Sequence, residues 1–307
     1  MNWKGVNPAI TTCFNEDLRV DHSLMAEHCR WLLDNGCTGI VALGSLGEGA
    51  TLSFEEKLEV LRTCVRVTHG RGPVVASISA LTTSEAVALA KAATELGCDG
   101  LMVLPPYVYK GDWREMKTHV ATVFDATPLP CILYNNPVAY GTDFLPEQIG
   151  ELAQEHENLE AVKESSTDVR RVAAIRGLLG RRLEICVGVD DAVLEAIGVG
   201  ATGWIAGLAN ALPRESTDLF NWGMNGKSGE AFELYRWFLP LLRMDTVPKF
   251  VQLIKLVQTE VGIGNPHVRP PRLELVDDEL EQTRTIIRDA LRSRPQPVGS
   301  NSLPNER

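Results

Sequence analysis

The chain has no C-x-x-C pair, no H-x-H and no H-E-x-x-H, and its six histidines (22, 28, 69, 119, 156 and 267) are scattered. A transition-metal site needs convergent ligands, and this spacing supplies none, so no metal is expected. Its seven cysteines (13, 29, 37, 64, 98, 131 and 186) are odd in number and fit no disulfide framework, so they read as reduced thiols. No uncharged run is long enough to span a bilayer, and Met1-Asn2-Trp3-Lys4-Gly5 begins no apolar stretch of signal-peptide length. The cytoplasm is the expected compartment. Basic residues are in deficit, 30 against 40 acids for a formal net charge of −10, which argues against nucleic acid and anionic membranes as partners.

What is present is an ordinary globular composition, 44% hydrophobic and 23% charged, which excludes a disordered or collagen-like chain. Its 307 residues admit either two domains or one barrel with an extension. Short apolar runs alternate with amphipathic stretches, as in repeated βαβ units. Strands are expected near Val6–Thr12, Gly39–Leu43, Val74–Ile78, Gly100–Leu104, Cys131–Tyr134, Leu159–Lys163, Leu183–Val187 and Ala201–Ile205. Asp21 precedes a helix over His22–Leu33, and two S/T-x-x-E capping boxes, Ser53–Glu56 and Thr82–Glu85, open the next two. Further helices fit Asp112–Asp125, Pro146–His156, Asp168–Leu179, Ala192–Val199 and Arg214–Gly226.

Eight strands thus alternate with eight helices, and strand starts advance by about 28 residues, close to one-eighth of a typical (β/α)8 barrel. The first strand ends Ala9-Ile10-Thr11-Thr12-Cys13-Phe14, without the glycine-rich turn of a dinucleotide fold. The expected fold is an α/β (β/α)8 TIM barrel with a C-terminal helical extension. The catalytic barrel would occupy residues 1–226. Helices over Gly229–Arg243, Pro248–Val261 and Asp277–Leu291, separated in part by Asp245–Val247, would pack on it as residues 227–292, and residues 293–307 read as a flexible tail.

In such a barrel the chemistry sits where strands end. The sixth strand ends in Lys163. Desolvation there would lower the lysine pKa and free its amine to attack a carbonyl, whereas a solvated strand-end lysine is an equally ready reading. Tyr134 ends the neighbouring strand at the same height, either to move protons over a shared substrate or as a core aromatic. Gly44-Ser45-Leu46-Gly47-Glu48-Gly49 follows the second strand, where backbone N–H groups could turn inward against a carboxylate. Asp190 and Asp191 follow the seventh, to receive substrate hydroxyls or to cap a helix.

Together these segments resemble the dihydrodipicolinate synthase/N-acetylneuraminate lyase superfamily of Schiff-base enzymes over residues 3 to about 275. Its G-[ST]-x-G-E loop is matched by Gly44–Glu48, its Y-N-x-P by Tyr134–Pro137, its strand-end lysine by Lys163 before Glu164-Ser165, and its G-x-D-[DE] by Gly188–Asp191. The resemblance implies Lys163 as the nucleophile forming the Schiff base, with no organic cofactor, and Tyr134 as the proton-transfer residue. Ser45 would relay protons with Tyr107, which in many members reaches in from a neighbouring subunit. Leu46 and Gly47 would hold the substrate carboxylate, the Ile205 carbonyl would face the substrate, and Ser165 and Asp190 would complete the pocket. The implied partners are a small 2-oxo acid or cyclic imine and further copies of the chain, usually as a tetramer.

Two departures bear on the substrate. The Y-N-x-P-x-R-T-G stretch of the synthases holds a second carboxylate through its arginine, but here Ala139 and Tyr140 stand after Pro137-Val138. Leu46 replaces a threonine of the G-T-T-G-E loop. Trp3-Lys4-Gly5-Val6, Leu234-Tyr-Arg-Trp-Phe238 and Arg269-Pro-Pro-Arg-Leu273 are similar to the 1-pyrroline-4-hydroxy-2-carboxylate deaminases of hydroxyproline catabolism. That resemblance implies ring opening by Lys163 and release of ammonia. A 4-hydroxy-tetrahydrodipicolinate synthase, a 2-oxo acid aldolase and a silent 2-oxo acid-binding barrel remain as alternatives.

Overall fold

The computed structural model describes residues 1–107 and 109–295. Eight strands form one parallel sheet: β1 (Gly5–Pro8), β2 (Ile40–Ala42), β3 (Val74–Ile78), β4 (Gly100–Val103), β5 (Cys131–Asn135), β6 (Leu159–Glu164), β7 (Glu184–Val187) and β8 (Gly203–Ala206). From β2 to β8 each strand pairs with the next in chain order, and β8 pairs with β1. A bridge between Ala9 and Val41 links the remaining edges, so the sheet closes into the (β/α)8 barrel. Nearly every strand residue is buried, because side chains fill the inside and helices cover the outside.

Helices α1 (His22–Asp34), α2 (Phe54–Thr68), α3 (Thr83–Glu95) and α4 (Trp113–Asp125) follow the first four strands. Asp21 caps α1 by accepting from the Ser23 and Leu24 N–H groups, and the Ser53–Glu56 box on α2 is complete. At α3 only half of the expected box forms: Thr82 accepts from Glu85 N. A four-residue helix unforeseen in the sequence, α5 (Pro137–Tyr140), precedes α6 (Pro146–Glu155). Asn136 caps it, and Pro137 takes the first position, where a missing N–H costs nothing.

The circuit finishes with α7 (Arg170–Leu179), α8 (Val193–Gly198) and α9 (Pro213–Met224), and is followed by α10 (Ser228–Leu242), α11 (Phe250–Glu260) and α12 (Asp277–Arg292). Boundaries differ from expectation where backbone partners change. β1 ends at Pro8 rather than Thr12, because Ala9 N then donates to Ala206 and Ile10 N to Val41, the step that closes the barrel. α10 packs on α9 and α12, with Trp237 Nε1 donating to the Ala290 carbonyl at 2.8 Å. α11 sends Lys255 back to the β2 loop. Of the expected tail, residues 296–307 lie outside the described residues.

Candidate active site

The loop after β2 is held from below. Glu48 is buried with one oxygen 2.6 Å from Lys255 Nζ and the other accepting from Arg269 N at 3.0 Å. Leu43 and Glu48 adopt positive φ (65° and 53°), a conformation costly for side-chain-bearing residues and maintained by these anchors. A Cβ at Gly49 would collide with the Leu43 carbonyl, so the return of the loop requires glycine. Among the described residues, the N–H groups of Ser45, Leu46 and Gly47 donate to no acceptor. Such a run of free donors suits an anion.

Opposite the loop, parallel register pairs Tyr134 on β5 directly with Lys163 on β6. The ammonium lies 4.1 Å from the centre of the Tyr134 ring and has no ion pair among the described residues. Burial lowers the lysine pKa to about 8, against the opposing pull of Asp245 and Asp190. Burial also pushes the Tyr134 phenol up to about 12, although Asn136, which donates to its hydroxyl at 3.0 Å, favours the anion. Tyr134 is therefore a neutral phenol at pH 7. Gly188 makes room: a Cβ there would strike Lys163 Cε and Ser165 Oγ.

These groups line a cavity of about 490 Å³. Ser45, Leu46, Tyr134, Lys163, Ser165 and Ile205 all reach it, so the structure brings together six of the nine expected site residues. Three do not line it. The Gly47 carbonyl accepts from Thr12 Oγ1 at 2.6 Å, which turns this residue toward β1 and leaves only its N–H free. Within one chain Tyr107 accepts from Ser79 Oγ at 3.3 Å and does not bond Ser45, while the relay expected from a neighbouring subunit would use the Tyr107 of another copy. Within the chain the hydroxyl partner of Ser45 is Tyr140 on α5, whose ring is tilted against Tyr107 and edge-on to Tyr134.

The third residue off the cavity is Asp190. It is fully buried, accepting from Trp204 Nε1 (2.9 Å), Gly207 N (3.1 Å) and Leu208 N (2.7 Å), and so straps the β7 loop to the end of β8. Nothing remains of it for a substrate, and neither Asp190 nor Asp191 caps a helix.

The segment expected only to pack on the barrel supplies a wall of the cavity. Asp245, Thr246, Val247, Pro248, Phe250 and Arg272 all line it. Asp245 had been read as part of a separator between helices, and its isolated position in sequence carries no motif. Burial and the nearby Asp190 raise its pKa well above the usual carboxylate value, against the opposing attraction of Lys163. The Arg272 guanidinium has neither hydrogen bond nor ion pair among the described residues. No cluster that could hold a metal occurs among the described residues.

A buried amine whose pKa is lowered to about 8, beside a phenol and a loop with a run of free N–H groups, is equipped to condense with the carbonyl of a 2-oxo acid, which defines a barrel enzyme working through a lysine imine. The dihydrodipicolinate synthetase family matches residues 2–290, and the chain belongs to it. It is a Schiff-base lyase, and enzymes of this family use a lysine imine without an external cofactor. It is similar to the 4-hydroxy-tetrahydrodipicolinate synthases of Mesorhizobium japonicum (35% identical, covering 87% of this chain and 92% of that one) and Caldicellulosiruptor bescii (33%, 94% and 96%). Among solved structures it is similar to the chloride-inhibited dihydrodipicolinate synthase of Acinetobacter baumannii complexed with pyruvate (29% identical, TM-score 0.90, covering 94% and 99%). No helix among the described residues is long and apolar enough to cross a membrane.

Proposed function

We propose that the enzyme opens and deaminates 1-pyrroline-4-hydroxy-2-carboxylate to 2-oxoglutarate semialdehyde. The observation that carries this reading is the wall facing Lys163: Ala139 stands where the synthase pattern has its arginine, and the cavity holds instead the Ser45–Tyr140 hydroxyl pair and the Asp245 carboxyl. An elimination needs proton donors and acceptors there rather than a clamp for a second carboxylate.

Lys163 attacks C2 of the cyclic imine, and the C2–N bond of the ring breaks as its nitrogen takes a proton, leaving an imine on the enzyme. The free N–H groups of Ser45, Leu46 and Gly47 hold the carboxylate. Tyr134, Ser45 and Tyr140 carry protons. Removal of a C3 proton, loss of the 4-hydroxyl as water, and tautomerisation place an imine at C5; one water hydrolyses it to release ammonia, and a second hydrolyses the C2 imine, freeing Lys163 and 2-oxoglutarate semialdehyde. Steady ammonia release from the purified protein with this substrate tests the reading. Robust condensation of pyruvate with aspartate semialdehyde and no ammonia would overturn it.

One observation favours the synthase as a second reading: Arg272 brings an unpaired guanidinium into the cavity from another element, and the relatives named above are synthases. The same proposal has the protein working in the cytoplasm as a homotetramer, supported by seven buried free thiols and by the exposed Leu81 and Tyr109 in loops and Val138 on α5, all at the active-site end of the barrel. A sizing measurement checks the assembly.

A further inference from the structure

Asp245 ends the short 3-10 turn Arg243–Asp245 that follows α10. Its carboxylate crosses to the barrel and rests against Gly207 just past β8, where any side chain at 207 would displace it. It is half-buried, its open surface belongs to the cavity, and it receives no hydrogen bond and no ion pair among the described residues. Asp245 lies near enough to Lys163 to influence its charge, no ion pair within 4.0 Å joins them among the described residues, and both line the cavity.

The contrast with Asp190 assigns the proton. Both carboxyls influence the charge of Lys163, and both lie in the same corner as Asp191. Asp190 has N–H donors on both oxygens and holds the negative charge, whereas Asp245 has none and lies next to that charge. Like charges this close resist joint ionisation, so the undonated member keeps its proton.

We propose that Asp245 is the acid that expels the 4-hydroxyl. The step rests on the deaminase reading. In the ring-opened enamine on Lys163, the nitrogen lone pair re-forms the C2 iminium, the C2=C3 pair becomes a C3=C4 double bond, and the C4–O bond breaks with its electrons on oxygen. The Asp245 proton makes that oxygen water. The carboxylate left behind faces the iminium cation, which offsets its charge, and water restores the proton after product leaves.

Asp245→Asn, nearly isosteric, is the test, with three readouts. Ammonia release from 1-pyrroline-4-hydroxy-2-carboxylate should fall by about 10²–10⁴-fold. Borohydride trapping of pyruvate on Lys163, and exchange of the pyruvate methyl hydrogens with D2O, need imine and enamine but no leaving group, and should stay within several-fold of wild type. Asp245→Glu should recover part of the ammonia release. Ammonia release within about threefold of wild type in Asp245→Asn, or parallel loss of all three readouts, would overturn the proposal. A wild-type enzyme that traps pyruvate but releases no ammonia overturns the deaminase reading, and this proposal falls with it. Wild-type release without loss in Asp245→Asn overturns the proposal alone.

Discussion

Two lysines are buried among the described residues, one at the barrel mouth and one beneath the loop that borders it, and burial alone does not distinguish them. Lys163 is 6% exposed and Lys255 2%. Both sit over an aromatic ring, at 4.1 Å from Tyr134 and 4.5 Å from Phe14. The difference is the partner. Lys255 gives one hydrogen bond to Glu48 and another to the His267 carbonyl, each 2.6 Å, so its charge is matched and its amine is occupied. Lys163 has no such match, and the cost of burying its charge makes the neutral amine accessible near neutral pH. A charged lysine that is paired serves as a strut, and one left unpaired becomes a nucleophile.

Methionine at each position should separate the two regions most sharply. Lys163→Met should reduce turnover by at least roughly 10⁴-fold, while removal of the buried cation raises stability at pH 7 by on the order of 2–3 kcal/mol. Lys255→Met leaves the Glu48 carboxylate buried without its cation and should cost about 3–5 kcal/mol. The double change Glu48→Leu with Lys255→Met should recover only part, because Arg269 N then loses its acceptor. Denaturant unfolding and single-turnover trapping measure both effects; a destabilised Lys163→Met, or an unperturbed Lys255→Met, would break the comparison.

The sequence showed the first of these regions and hid the second. Lys163, Tyr134 and Ser45 are legible because a parallel barrel brings strand ends to one rim, so each motif carries its own address; the register of Tyr134 with Lys163 follows from the fold. Tyr140 was visible only as a departure from a pattern, since its partnership with Ser45 depends on the unforeseen α5 helix. Asp245 and Arg272 lie beyond the last strand, in segments whose approach to the cavity is decided by how α10 and α11 pack. Periodicity predicts that those helices exist and not where their ends arrive. Asp190 misled for the opposite reason: its motif position is real, but three backbone and side-chain donors had claimed it.

The pH response offers a smaller, more graded contrast. The Lys163 pKa falls from 10.5 to about 8 on folding, so below about 8 both states hold the proton and wild type carries the full cost of its burial. From 8 to 10.5 the unfolded chain binds more protons, and stability rises with pH through that window. The advantage of Lys163→Met over wild type should therefore be greatest below pH 8 and shrink above it. Over the same range wild-type imine formation with pyruvate should climb toward a plateau above about 8. A flat rate between pH 6 and 9 would mean that the amine is already neutral and that the Asp190 charge does not hold its proton.

The smallest expected effect lies at Arg272, where the unpaired cation borders the cavity beside the hydroxyl pair. Its guanidinium reaches the cavity from the C-terminal segment, near enough to Tyr140 to influence that phenol, and so adds positive charge to this wall. Because it lies on the wall rather than at the reacting carbons, it should bind substrate and transition state alike. Arg272→Ala should then raise KM by about 3–30-fold and leave kcat within twofold. Arg272→Lys should recover part of the affinity, since charge survives without the planar fork. A fall in kcat with unchanged KM would place the guanidinium at the chemistry itself, and would extend to the C-terminal segment a second reacting group beside Asp245.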